Sequence, residues 1–219
     1  EGGSAELWNP VTGETTPLQT ESRDGRTHID LTLAKGESYF VVFHKGQKQG
    51  HILNKRSTEQ IIIPDFNWTV SFPEGWNVGP SSIQTNKLKA WKDMELTDEG
   101  KAFSGTAKYS TTFKLDKKQC KAKYIIDLGR VESIARVKLN GKHISTLWTY
   151  PYRTNVSEFI QEGKNRLEIE VTDTWFNRLV YDAGQPEEKR KTWTINAPHM
   201  SSPLKESGLL GPVCIKILQ

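Results

Sequence analysis

From Phe103 onward, apolar and polar residues alternate with the period of a β-strand. Ala107, Tyr109, Thr111, Phe113 and Leu115 fall on one face, with Lys108, Ser110, Thr112 and Lys114 on the other. The stretch YIIDLGRVESIARVKLNGKHISTLW, Tyr124 to Trp148, predicts a strand, a Gly-Arg turn, and a second strand with Ala135, Val137 and Leu139 on one face. A two-residue hairpin at Asn140-Gly141 and a third strand ending in Trp148 complete it. Asn-Gly suits that hairpin because a type I′ turn needs positive φ at both central residues. A single helical turn is predicted over Val156–Ile160. Gly163-Lys164-Asn165 then turns into a strand in which Leu167, Ile169 and Val171 alternate with Glu168 and Glu170. Upstream, Trp68, Val70 and Phe72 alternate before PEGWNVGPSS breaks the pattern. Ile83 to Glu99 is amphipathic at most, with Leu88, Trp91 and Met94 at helix-like or loop spacing. The run TWFNRLVYDAGQPEEKRKTWTINAP is a long aromatic and charged excursion, and loops of that length usually carry function or an interface. Ser207 to Pro212 bends the chain into the closing strand, PVCIKIL.

The first block, about residues 5 to 63, has the same punctuation but fewer strands. Leu7-Trp8 runs into turn signals at Asn9-Pro10 and Thr12-Gly13. Ile29, Leu31 and Leu33, alternating with Asp30 and Thr32, predict a half-buried strand, and YFVVF (Tyr39 to Phe43) reads as a strand buried on both sides. A polar stretch leads to Ile61-Ile62-Ile63 and Pro64. So few strands cannot bury a sandwich core alone. The expectation is an all-β chain of about eight strands in its larger part. Residues 1–64 form the C-terminal part of a preceding, incomplete β domain, or extra strands on the second block. Residues 65–219 form a jelly-roll β-sandwich.

Composition supports a thin sandwich. Among 219 residues the hydrophobic share is 35% and mean hydropathy −0.61, yet aromatics reach 10% and include seven Trp. Strands with one wet face give that profile. Thirty basic and 26 acidic residues leave a net charge of +4, with the two signs interspersed and no basic stripe, which argues against nucleic acid as a partner. Cys120, in the Lys-rich KKQCKAK, and Cys214 read as two unpaired thiols rather than a disulfide framework. No apolar run approaches the roughly 20 residues of a membrane span. The opening EGGSAELWNP reads as that of a mature product or an excised piece of a longer protein.

Reactive motifs are lacking. The sequence holds no GxSxG, no HExxH, no phosphate-cradling Gly loop and no Cys-His cluster, and its five His are scattered without ligand spacing. A glycosidase needs one carboxylic acid of raised pKa and a partner across a sugar-sized gap, and Asp173 and Asp182 are the acids in an aromatic setting. Asp127, at a strand end before Leu-Gly, reads as a turn cap. The aromatics are more suggestive. Trp148, Tyr150 and Tyr152 follow the hairpin, while Trp175, Phe176 and Trp193 flank the long excursion. Aromatic faces stack on the C–H face of a pyranose while Arg153, Asp173, Asn177, Arg178 and Asp182 offer partners for its hydroxyls. The competing reading places these rings in the core or an interdomain seam. Asn67-Trp68-Thr69 and Asn155-Val156-Ser157 match the short N-glycosylation pattern.

Four segments in order, FSGTAKYSTTF, IIDLGRVESIARVKLNGKHISTLWTYPYRTNV, FIQEGKNRLEIEVTDTWFNRL and SGLLGPV, resemble the C-terminal β-sandwich of large glycoside hydrolases. The resemblance is to the α-L-rhamnosidase-type enzymes of family 106, and the galactose-binding-like, sugar-binding sandwich of family 2 enzymes is similar too. It covers roughly residues 66 to 219, and ELWNPVTGE and YFVVF resemble the close of the domain before it. In such enzymes the catalytic carboxylates lie in a separate upstream (β/α)₈ barrel, and no repeated βα unit occurs here, so no catalytic residue carries over. Asp127, Gly129, Asn140, Gly141, Gly163, Asn165, Asn177 and Arg178 then read as fold determinants, with Asn177-Arg178 bracing the long loop against Asp182 or bonding a ligand. The resemblance implies a non-catalytic accessory module, without cofactor, of a secreted, periplasmic or cell-surface polysaccharide-degrading enzyme. Its partners would be carbohydrate, rhamnose-containing polysaccharide among the candidates, and the upstream catalytic domain. The alternatives are a small glycosidase using Asp173 and Asp182, or a protein-interaction module. Some related jelly rolls hold a structural calcium, for which the sequence shows no acidic run of ligand spacing.

Overall fold

The computed structural model describes residues 4–45, 59–119 and 121–219; Cys120 and most of the polar stretch before Ile61 lie outside them. The chain divides into two compact units, Glu1–Ser57 and Thr58–Gln219. In the first, β1 (Ser4–Trp8) pairs antiparallel with β2 (Thr15–Leu18) and β5 (Phe40–His44), while β3 (Glu21–Arg23) and β4 (Arg26–His28) form a separate hairpin. The turn at Asn9 is built as its residues dictate. The Asn9 Oδ1 accepts from the Val11 and Thr12 amides at 2.9 and 3.2 Å, and Gly13 takes φ +73°.

Two expectations for this unit are corrected. Residues 29 to 33 form no strand, and Leu31 and Leu33 are exposed. Alternation fixes which way side chains point but supplies no pairing edge, and among the described residues no strand pairs with this segment. Among the described residues the YFVVF strand pairs with β1 alone and leaves Phe40 and Phe43 exposed, so it is not buried on both sides.

Among the described residues, the second unit carries twelve strands where about eight were expected. They are β6 (Glu59–Ile62), β7 (Trp68–Ser71), β8 (Ser82–Thr85), β9 (Thr106–Leu115), β10 (Lys123–Asp127), β11 (Arg130–Glu132), β12 (Ile134–Leu139), β13 (Lys142–Leu147), β14 (Arg153–Asn155), β15 (Gly163–Thr172), β16 (Gly208–Gly211) and β17 (Cys214–Leu218). Short helices α1 (Asp98–Lys101) and α2 (Phe176–Ala183), and 3₁₀ turns at Trp91–Asp93 and Glu187–Lys189, interrupt them. One antiparallel sheet runs β13-β12-β15-β9-β7-β8, a second runs β14-β10-β17-β6, and β11 pairs with β16. Their inner faces meet in one core: Trp68 and Val70, Tyr109 and Phe113, Val137 and Leu139, and Ile169 and Val171 from one sheet, with Tyr124, Ile126, Ile215 and Ile217 from the other. That is an all-β sandwich. Ile61 and Ile62, read from sequence as the close of the first block, instead pair with Lys216 and Ile215 in the second unit.

Local chemistry explains the joints. Asn140 and Gly141 take φ of 51° and 80°, and Leu139 faces Lys142 across the hairpin, as a type I′ turn requires. The Asp127 carboxylate accepts from the Gly129 amide at 3.0 Å and pairs with Lys216 at 3.2 Å, so it caps its turn. Gly129, at φ +64°, lies against Gly211, where a Cβ would run into the carbonyl. The Val156–Ile160 turn closes through the Ile160 amide to the Val156 carbonyl at 2.9 Å.

Candidate functional site

The segment read from sequence as one long loop holds α2, and α2 buries an unusual stripe. Asn177, Arg178, Val180 and Asp182 face inward. No side chain caps the helix from its own N-terminus. Instead the buried Ser104 hydroxyl accepts from the Arg178 amide at 3.0 Å. The Arg178 guanidinium meets Asp182 Oδ1 at 2.6 Å one turn on and Glu99 Oε1 of α1 at 2.7 Å. Lys191 joins Glu99 at 2.9 Å. Burial pushes the Glu99 carboxyl up, but the bonds from Arg178, Lys191 and Asn77 outweigh it and hold it near about 2. Asp182 behaves alike. Burial is outweighed by Arg178 and by Thr192, whose amide and hydroxyl both donate to Oδ2 at 2.7 Å, and the carboxyl lies below its ordinary range.

Next to this buried network lies an open cleft of about 580 Å³, where the β11–β12 junction, the end of β15, the start of α2 and the approach to β16 converge. Lys92, Glu132, Ser133, Asp173, Thr174, Asn177, Lys205 and Glu206 line it. Asp173, in the cleft lining, accepts from the Thr174 amide at 2.7 Å and the Ser133 hydroxyl at 3.2 Å, both on Oδ1. Burial pushes this carboxyl up and the two donors only partly offset it. The Asn177 amide clamps Lys205 from both sides, donating to its carbonyl at 3.0 Å and accepting from its N–H at 2.8 Å. Trp175, next to Thr174 of the cleft wall, is 52% exposed and stacks at 5.7 Å and 32° on Trp76. Trp76 lies in turn against Arg178 and Lys191, with the cations 5.8 and 5.5 Å from its ring.

Of the residues singled out by sequence, Asp173 and Asn177 line this cleft, and Trp175 lies next to its wall at Thr174, against Trp76, without lining it. Arg178 and Asp182 are buried beside it and bonded to each other, so they brace the excursion rather than face solvent. Tyr152 is buried as well. Its hydroxyl donates to the Ser133 carbonyl at 2.6 Å, and its ring packs on Tyr150 at 5.0 Å. Arg153 sits in β14 opposite Asp127. Trp148, 60% exposed after edge strand β13, and Trp193, 77% exposed, do not line the cleft. Sequence reasoning misses Trp76, Lys92, Glu99, Glu132, Ser133, Lys205 and Glu206. Two signals were there: Glu132-Ser133 interrupts the alternation between β11 and β12, and Lys205-Glu206 directly precedes the Ser207-Gly208 bend. Among the described residues, no three His, Cys, Asp or Glu side chains are placed to hold a metal ion, and no helix is long and apolar enough to cross a membrane.

Comparison with known proteins agrees with this architecture. A rhamnosidase from Novosphingobium sp. PP1Y superimposes with a TM-score of 0.84 at 34% identity, over 99% of this chain and 20% of that one. A β-D-glucuronidase from Dictyoglomus thermophilum shares the fold at 17% identity and a TM-score of 0.55, over 73% of this chain and 28% of its own. A curated relative from Formosa agariphila, named "Putative beta-glucuronidase", is 34% identical over 88% of this chain. The chain spans only 19% of that relative's length. The model of the glycosyl hydrolase 2 galactose-binding domain-like family matches residues 91–203, just over half of the 219 residues, and the chain belongs to that family.

Proposed function

We propose that this chain is a non-catalytic accessory module of a polysaccharide-degrading glycoside hydrolase, and that the cleft at Asp173, with Trp175 beside its wall, contacts carbohydrate. The observation that carries the reading is a cleft lined by the Asp173 carboxylate, with an exposed indole two residues on, Trp175, propped on Trp76. A ring face for sugar C–H groups beside acceptors and donors for hydroxyls is the combination a pyranose needs. Likeness to the Novosphingobium rhamnosidase supports a rhamnosidase-type parent. Action on rhamnose-containing polysaccharide outside the cytoplasm is part of the same proposal. The small fraction of each relative that the chain spans supports catalysis by another part of the parent, and the first unit would then close the domain before this one. The alternative of a small glycosidase loses its second acid, because Asp182 is buried and its carboxylate is bonded to Arg178 and Thr192.

Affinity electrophoresis of this chain through gels containing rhamnose-bearing polysaccharides tests the reading. Retardation of the wild type, its loss in Trp175→Ala and Asp173→Ala, and no turnover of aryl-glycosides are expected. Retardation that survives both substitutions removes the cleft as the site, and aryl-glycoside turnover by the chain overturns the non-catalytic role.

A further inference from the structure

Beyond Arg190 the chain runs in an irregular path whose pattern is inverted. Thr192 and Thr194 are half-buried, whereas Trp193 and Ile195 are 77% and 85% exposed, and Met200 further on is 62% exposed. The inversion has a visible cause. Buried Asp182 accepts from the Lys191 amide at 3.0 Å and from the Thr192 amide and hydroxyl at 2.7 Å, which turns the Thr192 side chain inward. Lys191 fastens the same base to the Gly75 carbonyl at 2.6 Å and to Glu99. Successive side chains of an extended stretch point to opposite sides, so holding Thr192 inward drives Trp193 out. A fixed base with large apolar groups at its tip is costly in water and favours a covering partner.

We propose that Trp193, Ile195 and Met200 form a docking surface for another domain of the parent polypeptide, a proposal that rests on the chain being a module of a longer hydrolase. Protein is favoured over sugar as the occupant because Ile195 and Met200 offer no group for hydroxyls, which also moves Trp193 from sugar candidate to docking residue. Same-chain docking is favoured over a second copy by area. Three such side chains expose on the order of 400–500 Å², against about 800 Å² per partner in a stable complex. A covalently linked domain needs far less surface, because linkage supplies the effective concentration. The chain spans only 20% of the rhamnosidase it superimposes on, so such a domain is to hand in that relative.

The test compares this chain alone with the full-length parent, each as wild type and as the Trp193→Ser, Ile195→Ser double variant. Amide exchange over residues 192–200 should be slower by about tenfold or more in the parent than in the isolated chain, and the double variant should abolish that difference. The variant should leave the melting temperature of the isolated chain unchanged and lower that of the parent. Equal exchange in parent and isolated chain overturns the proposal, as does a concentration-dependent dimer of the isolated chain, or protection of 192–200 by polysaccharide alone. Failure of the carbohydrate reading is separate: it appears as unretarded migration in the polysaccharide gel, which the double variant does not affect.

Discussion

Arg178 and Glu99, 79 residues apart in sequence, meet at 2.7 Å, and the same guanidinium holds Asp182 from the other side. One buried cation thus fastens α2 to α1 and, through Asp182, fixes the base of the segment that carries Trp193. Removing the cation leaves the Asp182 carboxylate buried without its counter-charge. Arg178→Met is therefore expected to cost about 3–5 kcal/mol in urea unfolding at neutral pH. Arg178→Lys should recover little of it, since an ammonium cannot present a planar fork to two carboxylates.

The same network sets an acid limb. Glu99 sits near about 2 in the folded chain against 4.5 ordinarily, so its folded pKa is depressed. Its contribution is complete above the ordinary value and is lost as pH falls from about 4.5 towards about 2. Glu99→Gln should be less stable than wild type at pH 7, and the gap should close on acidification through that window, read from unfolding midpoints. A gap that is constant with pH would mean the carboxylate's charge is not what holds the site.

Asp173 carries the opposite sign. Burial raises its pKa, so ionising it is harder in the folded chain than in the unfolded one. Its charge therefore weakens the fold increasingly as pH rises from its ordinary carboxylate range through the raised folded value. Asp173→Asn should match wild type in acid and exceed it in stability at neutral pH while losing retardation in the polysaccharide gel. A residue that improves the fold when replaced but removes binding is held for function.

The buried corner at Gly208 gives a steric prediction. Trp91 Nε1 donates to the Tyr109 hydroxyl at 2.6 Å, and the Leu209 amide donates to it at 3.2 Å; burial drives that phenol up to about 12. Gly208, at φ +93°, lies so close that a Cβ would fall 2.5 Å from Trp91 Nε1 and 2.6 Å from the Tyr109 oxygen. Gly208→Ala should destabilise more than Tyr109→Phe, because it strains the backbone as well as displacing the bonded pair. Tyr109→Phe leaves two donors without an acceptor, for about 1–3 kcal/mol. Chemical denaturation of both variants checks the order.

What was legible follows from which face of an element is apolar. The strands β9, β12 and β15 bury every second residue, so the period-two pattern finds them, and the Asn140-Gly141 turn announces its own geometry. The helix α2 is invisible to that logic because its inward stripe is Asn177, Arg178 and Asp182 around a single Val180, and its N-terminus is capped by Ser104 from another segment. Trp175 and Asp173 were visible as residue types, but the cleft was not. Beyond Asp173, its walls at Glu132, Ser133, Lys205 and Glu206 come from distant segments and gain their setting only from the fold. The strand expected at residues 29–33 failed for the reverse reason, alternation without a neighbour to pair with.

Asn165 makes the clearest case of a polar residue that the sandwich needs. Wholly buried, it uses all of its capacity: Nδ2 donates to the Gln161 and Gly163 carbonyls at 2.7 and 3.1 Å, while Oδ1 accepts from the Gln161 amide at 3.0 Å and from Asn140 Nδ2 at 2.9 Å. Asn140 in turn accepts from the Arg166 amide and donates to the Phe159 carbonyl, each at 2.9 Å. The two amides together tie the β12–β13 hairpin to the turn that opens β15. Asn165→Leu keeps the volume but strands the Gln161 N–H and carbonyl in the interior, where unsatisfied groups cost about 1–3 kcal/mol each. Asn165→Asp keeps the acceptors but replaces two donors with a second oxygen facing carbonyls. Both should therefore lower the unfolding midpoint markedly, with Asp the worse at neutral pH and recovering in acid as it protonates. An Asp variant whose deficit does not shrink in acid would show that shape, not donor count, is what this position demands.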